Sequence, residues 1–298
     1  MRGKAVISFV FMLGATALAP QLAQAADAPP DCDRACLKGF VDGYFDALAR
    51  NDASKLPVTA GVKFTENGER LKLGEGFWKT AGKSGYRLEL YDPERGAAGV
   101  QAVVQEKEGP ALYVARLKVE NHRISEIETI VARKGSYGAL WSPENLKEVS
   151  PGFSLSIRKA EQNSRLELLA AADGYWRAFE TNGSPDYHPA PLLPSTRRFE
   201  NGVQTTLNSN RPNGPLSASE QFDRGMFKGG RITDRRYPVV DLERGVVMSI
   251  VRFGPREATT TRAADLPLVM EAFAVEAGKI HEVQVVLISR PVGSPTGW

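Results

Sequence analysis

The chain writes one passage twice. Ala111–Arg133, ALYVARLKVENHRISEIETIVAR, returns near the C-terminus as Leu268–Arg290, LVMEAFAVEAGKIHEVQVVLISR. KVENHRISEIETI lies on AVEAGKIHEVQVV without a gap, so Ile124 falls on Ile280 and Ile127 on Val283. Each copy reads as an apolar strand, a short polar turn and a second strand of period two. Working outward, Asp42-Gly43-Tyr44 returns as Asp173-Gly174-Tyr175, and Phe64-Thr65-Glu66-Asn67-Gly68 returns as Phe199-Glu200-Asn201-Gly202. Tyr86-Arg87 through Arg95-Gly96 returns as Arg235-Arg236 through Arg244-Gly245. The offset grows from 131 residues at Asp42/Asp173 to 157 at Arg133/Arg290, so the second half carries insertions. Blocks matched in one order predict two copies of one structural unit.

At 298 residues the chain has room for two cores. A net charge of +3 without a Lys/Arg block argues against nucleic acid as a partner. Arg2 and Lys4, the apolar run Ala5–Ala19 and Ala23-Gln24-Ala25 predict a cleaved secretory signal over residues 1–25. The expected location is periplasmic or secreted, without a membrane span after cleavage. The two cysteines, Cys32 and Cys36, predict a disulfide in an exported chain. A metal pair is the alternative, opposed by the lack of a histidine nearby in sequence.

The expected units are residues 33–133 and 165–291, joined by 134–164. Each opens with a helix: Leu37, Phe40, Val41, Tyr44, Phe45 and Leu48 form one helical stripe, and Arg165–Thr181 another. Asn67-Gly68 predicts a hairpin turn within Thr59–Leu73. Runs of strands follow in both units, and tight connections predict antiparallel neighbours. The expected class is α+β, each unit a cone-shaped curved antiparallel sheet wrapped on helices.

The order of elements, the Asp-Gly-Tyr helix, the Phe-Thr-Glu-Asn-Gly hairpin, Gly74-Glu75-Gly76-Phe77-Trp78-Lys79-Thr80 and the Arg-Arg-Tyr-Pro-Val-Val-Asp strand resemble the SnoaL-like branch of the NTF2-like superfamily. The resemblance implies cone pockets that host isomerases, dehydratases, cyclases and lyases without cofactors, and also non-catalytic binding domains. It implies too that the units pair through their sheets, as a monomeric pseudo-dimer or a homodimer. No His/Asp pair of the dehydratase type and no Asp-Arg-Asp set of the epoxide-hydrolase type is present.

Candidate chemistry follows from residue types. Arg87, Arg235 and Arg236 offer fixed forks for a carboxylate or enolate; an outward arginine paired with a sheet neighbour is the plainer reading. His188 is a candidate acid/base and Tyr187 or Tyr175 an oxyanion donor, set against an ordinary proline-rich loop. Glu220 is a candidate base on a short helix. Tyr44, Tyr175, Trp176 and Trp78 are candidate pocket walls or core. His122 and His281 sit at or beside turns and read as solvated or structural. No phosphate loop, dinucleotide fingerprint, nucleophile elbow or catalytic metal spacing is found. The expected activity is a cofactor-independent lyase or isomerase on a hydrophobic, oxygenated small molecule, aromatic ones included. Ligand binding without chemistry and a purely structural role are the alternatives.

Overall fold

The computed structural model describes residues 31–255 and 265–298. The expected leader, the start of the proline-rich lead and the threonine-rich loop after Phe253 lie outside the described residues. The first unit contains α1 (Arg34–Ala49), β1 (Val58–Glu66), β2 (Glu69–Leu71), β3 (Ser84–Asp92), β4 (Ala97–Glu106), β5 (Gly109–Glu120) and β6 (Arg123–Ala132). The connection carries the single turn α2 (Pro151–Ser154). The second unit contains α3 (Arg165–Thr181), β7 (Leu192–Glu200), β8 (Val203–Gln204), α4 (Ala218–Asp223), β9 (Ile232–Asp241), β10 (Val246–Phe253), β11 (Leu266–Glu276) and β12 (Lys279–Arg290).

The strands form two six-stranded sheets of the same order, β2-β1-β6-β5-β4-β3 and β8-β7-β12-β11-β10-β9. The duplication seen in the sequence is therefore a duplication of topology. Most neighbours are antiparallel, but β1 runs parallel to β6 and β7 to β12. The expected α+β pair of cones is corrected. Among the described residues strand far outweighs helix, the helices are few, and neither sheet is wrapped around a helix. The reason is legible in β4, whose first eight residues are all buried. Strands apolar on both faces need cover on both. A helix covers one face of each sheet, and the other sheet covers the second.

Both long helices are fixed by their ends and one stripe. Asp33 caps α1, accepting from the Cys36 amide at 2.8 Å, and the Cys32–Cys36 disulfide is formed just there. Ser164 and Glu167 form a reciprocal capping box on α3. Leu37, Val41, Tyr44 and Leu48 of α1 pack with Ala98, Val100, Tyr113 and Ile127 of the first sheet. Leu168, Ala172, Tyr175 and Phe179 of α3 pack with Val247, Val251, Phe273 and Val283 of the second. No helix among the described residues is long and apolar enough to cross a membrane.

A third core lies between the sheets. Leu88, Leu90, Leu112, Val114 and Ile130 meet Val239, Met248, Ile250, Met270 and Val286. Phe153, Trp141, Leu146 and Val149 of the connection seal this core, whereas Leu155 stays exposed. Within it, the Tyr86 hydroxyl donates to Gln284 Oε1 at 2.9 Å, and the Gln101 and Gln284 amides bond to each other at 2.6 Å. Buried amides keep their partners because an unpaired one costs about 1–3 kcal/mol. Gly99 lets Met248 approach so closely that a Cβ at this position would overlap its thioether.

Candidate functional site

The helix-facing side of the first sheet is filled. Tyr44, Phe77, Trp78 and Tyr113 are all buried, with the Tyr44 and Tyr113 hydroxyls 2.6 Å apart and the Phe77 and Tyr113 rings stacked at 4.8 Å. Tyr44 and Trp78, expected as pocket walls or core, are core. Burial pushes the Tyr44 and Tyr113 hydroxyls above the usual phenol range.

The equivalent space in the second unit holds charge. Along β11, alternation sends Val269, Glu271, Phe273 and Val275 toward α3. Glu271 is thus only 2% exposed. Along β7, Arg198 faces inward between Thr196 and Glu200 and is equally buried. Its Nη1 lies 3.4 Å from the Tyr175 hydroxyl, its Nε donates to Thr205 Oγ1 at 3.2 Å, and Glu200 is 3.5 Å away. The remaining nitrogen donates to Gln221 Oε1 of α4. The rings of Phe222, Phe273 and Trp176 stand within 5.3 Å of Tyr175.

Burial and charge act on Glu271 and Arg198 in opposite senses. Burial pushes Glu271 up to about 8, opposed by the Arg198 charge, reinforced by Glu200 and opposed by a bond from Tyr175. Burial pulls Arg198 down, but Tyr175, Glu200 and Glu271 more than offset this and hold its guanidinium above the usual range. At neutral pH the cluster therefore sets the Arg198 cation beside a protonated Glu271. A buried acid beside a fixed cation can give a proton to, and hold, an oxygen that gains charge. The first unit has no such set. Phe64 pairs with Ile127 as Arg198 pairs with Val283, and Ala115 pairs with Val100 as Glu271 pairs with Ser249.

Of the residues expected from sequence, only Tyr175 joins this cluster. Trp176 stands beside it, its indole donating to Ser249 Oγ at 3.2 Å. Glu220 is exposed and belongs to the capping box of α4, accepting from the Ser217 amide at 2.7 Å. That bond and the Ser217 hydroxyl hold its carboxyl below the usual range, the wrong direction for a base at neutral pH. His188 is exposed in its loop. Tyr187 points to Asp223 at 3.3 Å, and burial with that carboxylate pushes its phenol up to about 12.

The arginines are partnered, and a bulge changes their correspondence. Arg87 lies opposite Ala102, five residues along β4 from its start at Ala97, and Arg235 opposite Val251, five along β10 from Val246. Arg235, not Arg236, is therefore the counterpart of Arg87. The extra residue lies in β9, where Tyr237 and Pro238 together stand against Ser249, and Pro238 has no amide hydrogen to pair. Arg87 reaches Asp42 of α1 at 2.7 Å, and Arg235 lies 3.5 Å from Asp173 of α3. Arg236 takes the opposite face and donates two hydrogen bonds to the Glu128 carboxylate of the first unit, at 2.7 and 3.0 Å. All three arginines thus meet carboxylates of the protein itself, on α1, on α3 and on the first unit.

Two signals in the sequence marked the cluster. Glu271 interrupts the apolar phase of LVMEAFAV, and Arg198 takes an inward phase of β7. One further contact crosses a long sequence distance: His122, from the turn between β5 and β6, lies 3.7 Å from Cys36 Sγ.

The fold and site define a tandem protein of two matching six-stranded units, one with an interior filled by aromatic rings and one with a buried acid–cation cluster. The chain belongs to the family described as Domain of unknown function (DUF8021), whose model matches residues 31–131 and again 161–287. No curated protein matches it. A crystal structure of a de novo designed protein with a curved β-sheet is similar at 14% identity, over 42% of this chain and 88% of that one, with a TM-score of 0.28. A likeness that low carries no argument about the fold.

Proposed function

We propose that the second unit is the functional half of an exported protein. It acts as a cofactor-independent lyase or isomerase on a hydrophobic, oxygenated small molecule, aromatic ones included. The observation that carries this reading is Glu271, a carboxyl pushed to about 8 in an aromatic interior beside Arg198 and Tyr175. In this reading Arg198 holds the substrate oxygen, Tyr175 donates to it, and Glu271 moves the proton. The segment bearing α4 opens to admit the ligand, because Gln221 is the partner that closes the cluster. The resemblance of the sequence to SnoaL-like proteins points the same way.

The second reading is capture of such a ligand without chemistry. It is favoured by Arg198, whose guanidinium already has Tyr175, Thr205, Glu200 and Gln221 as partners. The test is to incubate the protein with an extract of plant-derived aromatics and follow it by mass spectrometry, beside Glu271→Gln. A compound consumed by the wild type and spared by the variant supports the enzyme. A compound retained unchanged by both supports the binder. If neither protein consumes or retains any compound, both readings fall.

A further inference from the structure

At the N-terminus of α1 the fold brings a histidine distant in sequence to a pair of neighbouring cysteines. Cys32 and Cys36 are bridged there, and the tight turn Glu120–Arg123 brings His122 beside them. Asn121 and His122 both adopt left-handed backbone, with φ of 50° and 54°. His122 Nδ1 faces Cys36 Sγ at 3.7 Å, while Nε2 faces Asp31 Oδ1 at 3.7 Å. One ligand atom from each of Cys32, Cys36 and His122 lies within 4.8 Å of the others. The equivalent turn of the second unit is Ala277-Gly278, which offers no side-chain ligand.

We propose that opening the Cys32–Cys36 bridge converts this corner into a zinc site, with two thiolates and His122 Nδ1 as protein ligands and the fourth position open to water. Tetrahedral zinc with ordinary bond lengths places sulfur and nitrogen ligands roughly 3.6 Å apart, so the Cys36–His122 spacing is already suitable. The sulfurs must part to roughly 3.8 Å, which side-chain rotation supplies. Asp31 stands on the far side of the imidazole, where a carboxylate fixes the ring of a metal-bound histidine. Cys36 is half-buried and His122 exposed, so an ion has a path in.

The chemistry balances with a phosphine as reductant. The phosphine gives two electrons to the disulfide and becomes its oxide, taking oxygen from water. The two water protons go to the sulfurs. Zinc then displaces two thiol protons into the buffer. The bridge and the metal exclude each other, so zinc loading reports the redox state of this pair.

The experiment titrates Co2+, then Zn2+, into the phosphine-reduced full chain. The expected result is one cobalt per chain, with thiolate charge-transfer and tetrahedral bands that zinc abolishes. The oxidised chain shows none. His122→Ala weakens binding by about tenfold or more, and Asp31→Asn weakens it by about tenfold. His122 is exposed and the bridge closes a loop of only a few residues, so circular dichroism should report unchanged folding in the reduced chain and both variants. Absence of cobalt bands in the reduced folded chain overturns the proposal. So does His122→Ala binding as tightly as the wild type, equal binding by the oxidised chain, or loss of folding on reduction.

Discussion

Asp92 and Asp241 hold equivalent ends of β3 and β9, and each is bound by the opposite unit. Asp92 accepts from the Val240 amide at 3.0 Å and from Arg165 at the start of α3, also at 3.0 Å. Asp241 accepts from the Tyr91 amide at 3.0 Å and from Arg34 at the start of α1 at 2.8 Å. Each also caps its own turn, from Arg95 and Arg244 at 3.2 Å. The two contacts are one contact written twice about a pseudo-twofold axis.

Both carboxylates are buried, and removing either leaves two amides without their acceptor and a partly buried arginine with only a more exposed glutamate, Glu94 or Glu243, as its carboxylate partner. Asp92→Ala and Asp241→Ala should each cost about 3–5 kcal/mol in denaturant unfolding. The losses should agree within about 1 kcal/mol, because the surroundings match. If one substitution is silent and the other severe, the equivalence is wrong.

Glu271 sets a slope of stability with pH. Its carboxyl is raised from 4.5 to about 8 in the folded chain. The acid is protonated in both states below the unfolded value, so its full contribution is present there. As pH rises from about 4.5 to about 8 only the unfolded chain ionises, and stability falls by up to about 1.4 kcal/mol per pH unit. Glu271→Gln should remove this slope, so the variant gains on the wild type between pH 5 and pH 8. Parallel unfolding profiles would mean that Glu271 is ionised in the fold.

The two Glu-Asn-Gly turns should prove unequal. Asn201 bonds the Leu287 amide and carbonyl at 3.0 and 2.9 Å and is fully buried. Asn67 bonds the Val131 amide at 2.8 Å, but its second contact is stretched to 3.5 Å. Both adopt left-handed backbone, with φ of 47° and 53°. Asn201→Ala should cost about 2–3 kcal/mol and Asn67→Ala about 1–2. The reverse ranking by thermal or chemical unfolding would contradict this account.

A side chain at Gly99 must displace Met248. Gly99→Ala should destabilise by about 1–3 kcal/mol through overpacking between the sheets. Gly99→Ala with Met248→Ala should recover part of that loss, because the second truncation clears the space. A double variant as weak as the sum of its singles would show that the two positions do not compete.

How much of this was legible depended on whether the signal was local. The duplicated blocks predicted two matching units, and Cys32 and Cys36 predicted their bridge, because those are statements about neighbours in sequence. Asn67-Gly68 marked its turn for the same reason. The layer arrangement was not local. Alternation says that a strand has two faces, but β4 is buried on both, and only the assembled chain shows that a second sheet covers one of them. The bulge at Pro238 moved the counterpart of Arg87 from Arg236 to Arg235, a shift of one residue that turns a side chain to the other face. Arg198 and Glu271 are 73 positions apart, and nothing in either segment names the other.

The Gly99–Met248 contact has a further consequence. These residues occupy the same place in the two units, Gly99 opposite Leu90 and Met248 opposite Val239. Two copies of the first half, docked in this way, would set a hollow against a hollow. Two copies of the second would drive one methionine into another. The contact therefore fits one half of each kind, and a single chain that carries both always supplies them in equal number.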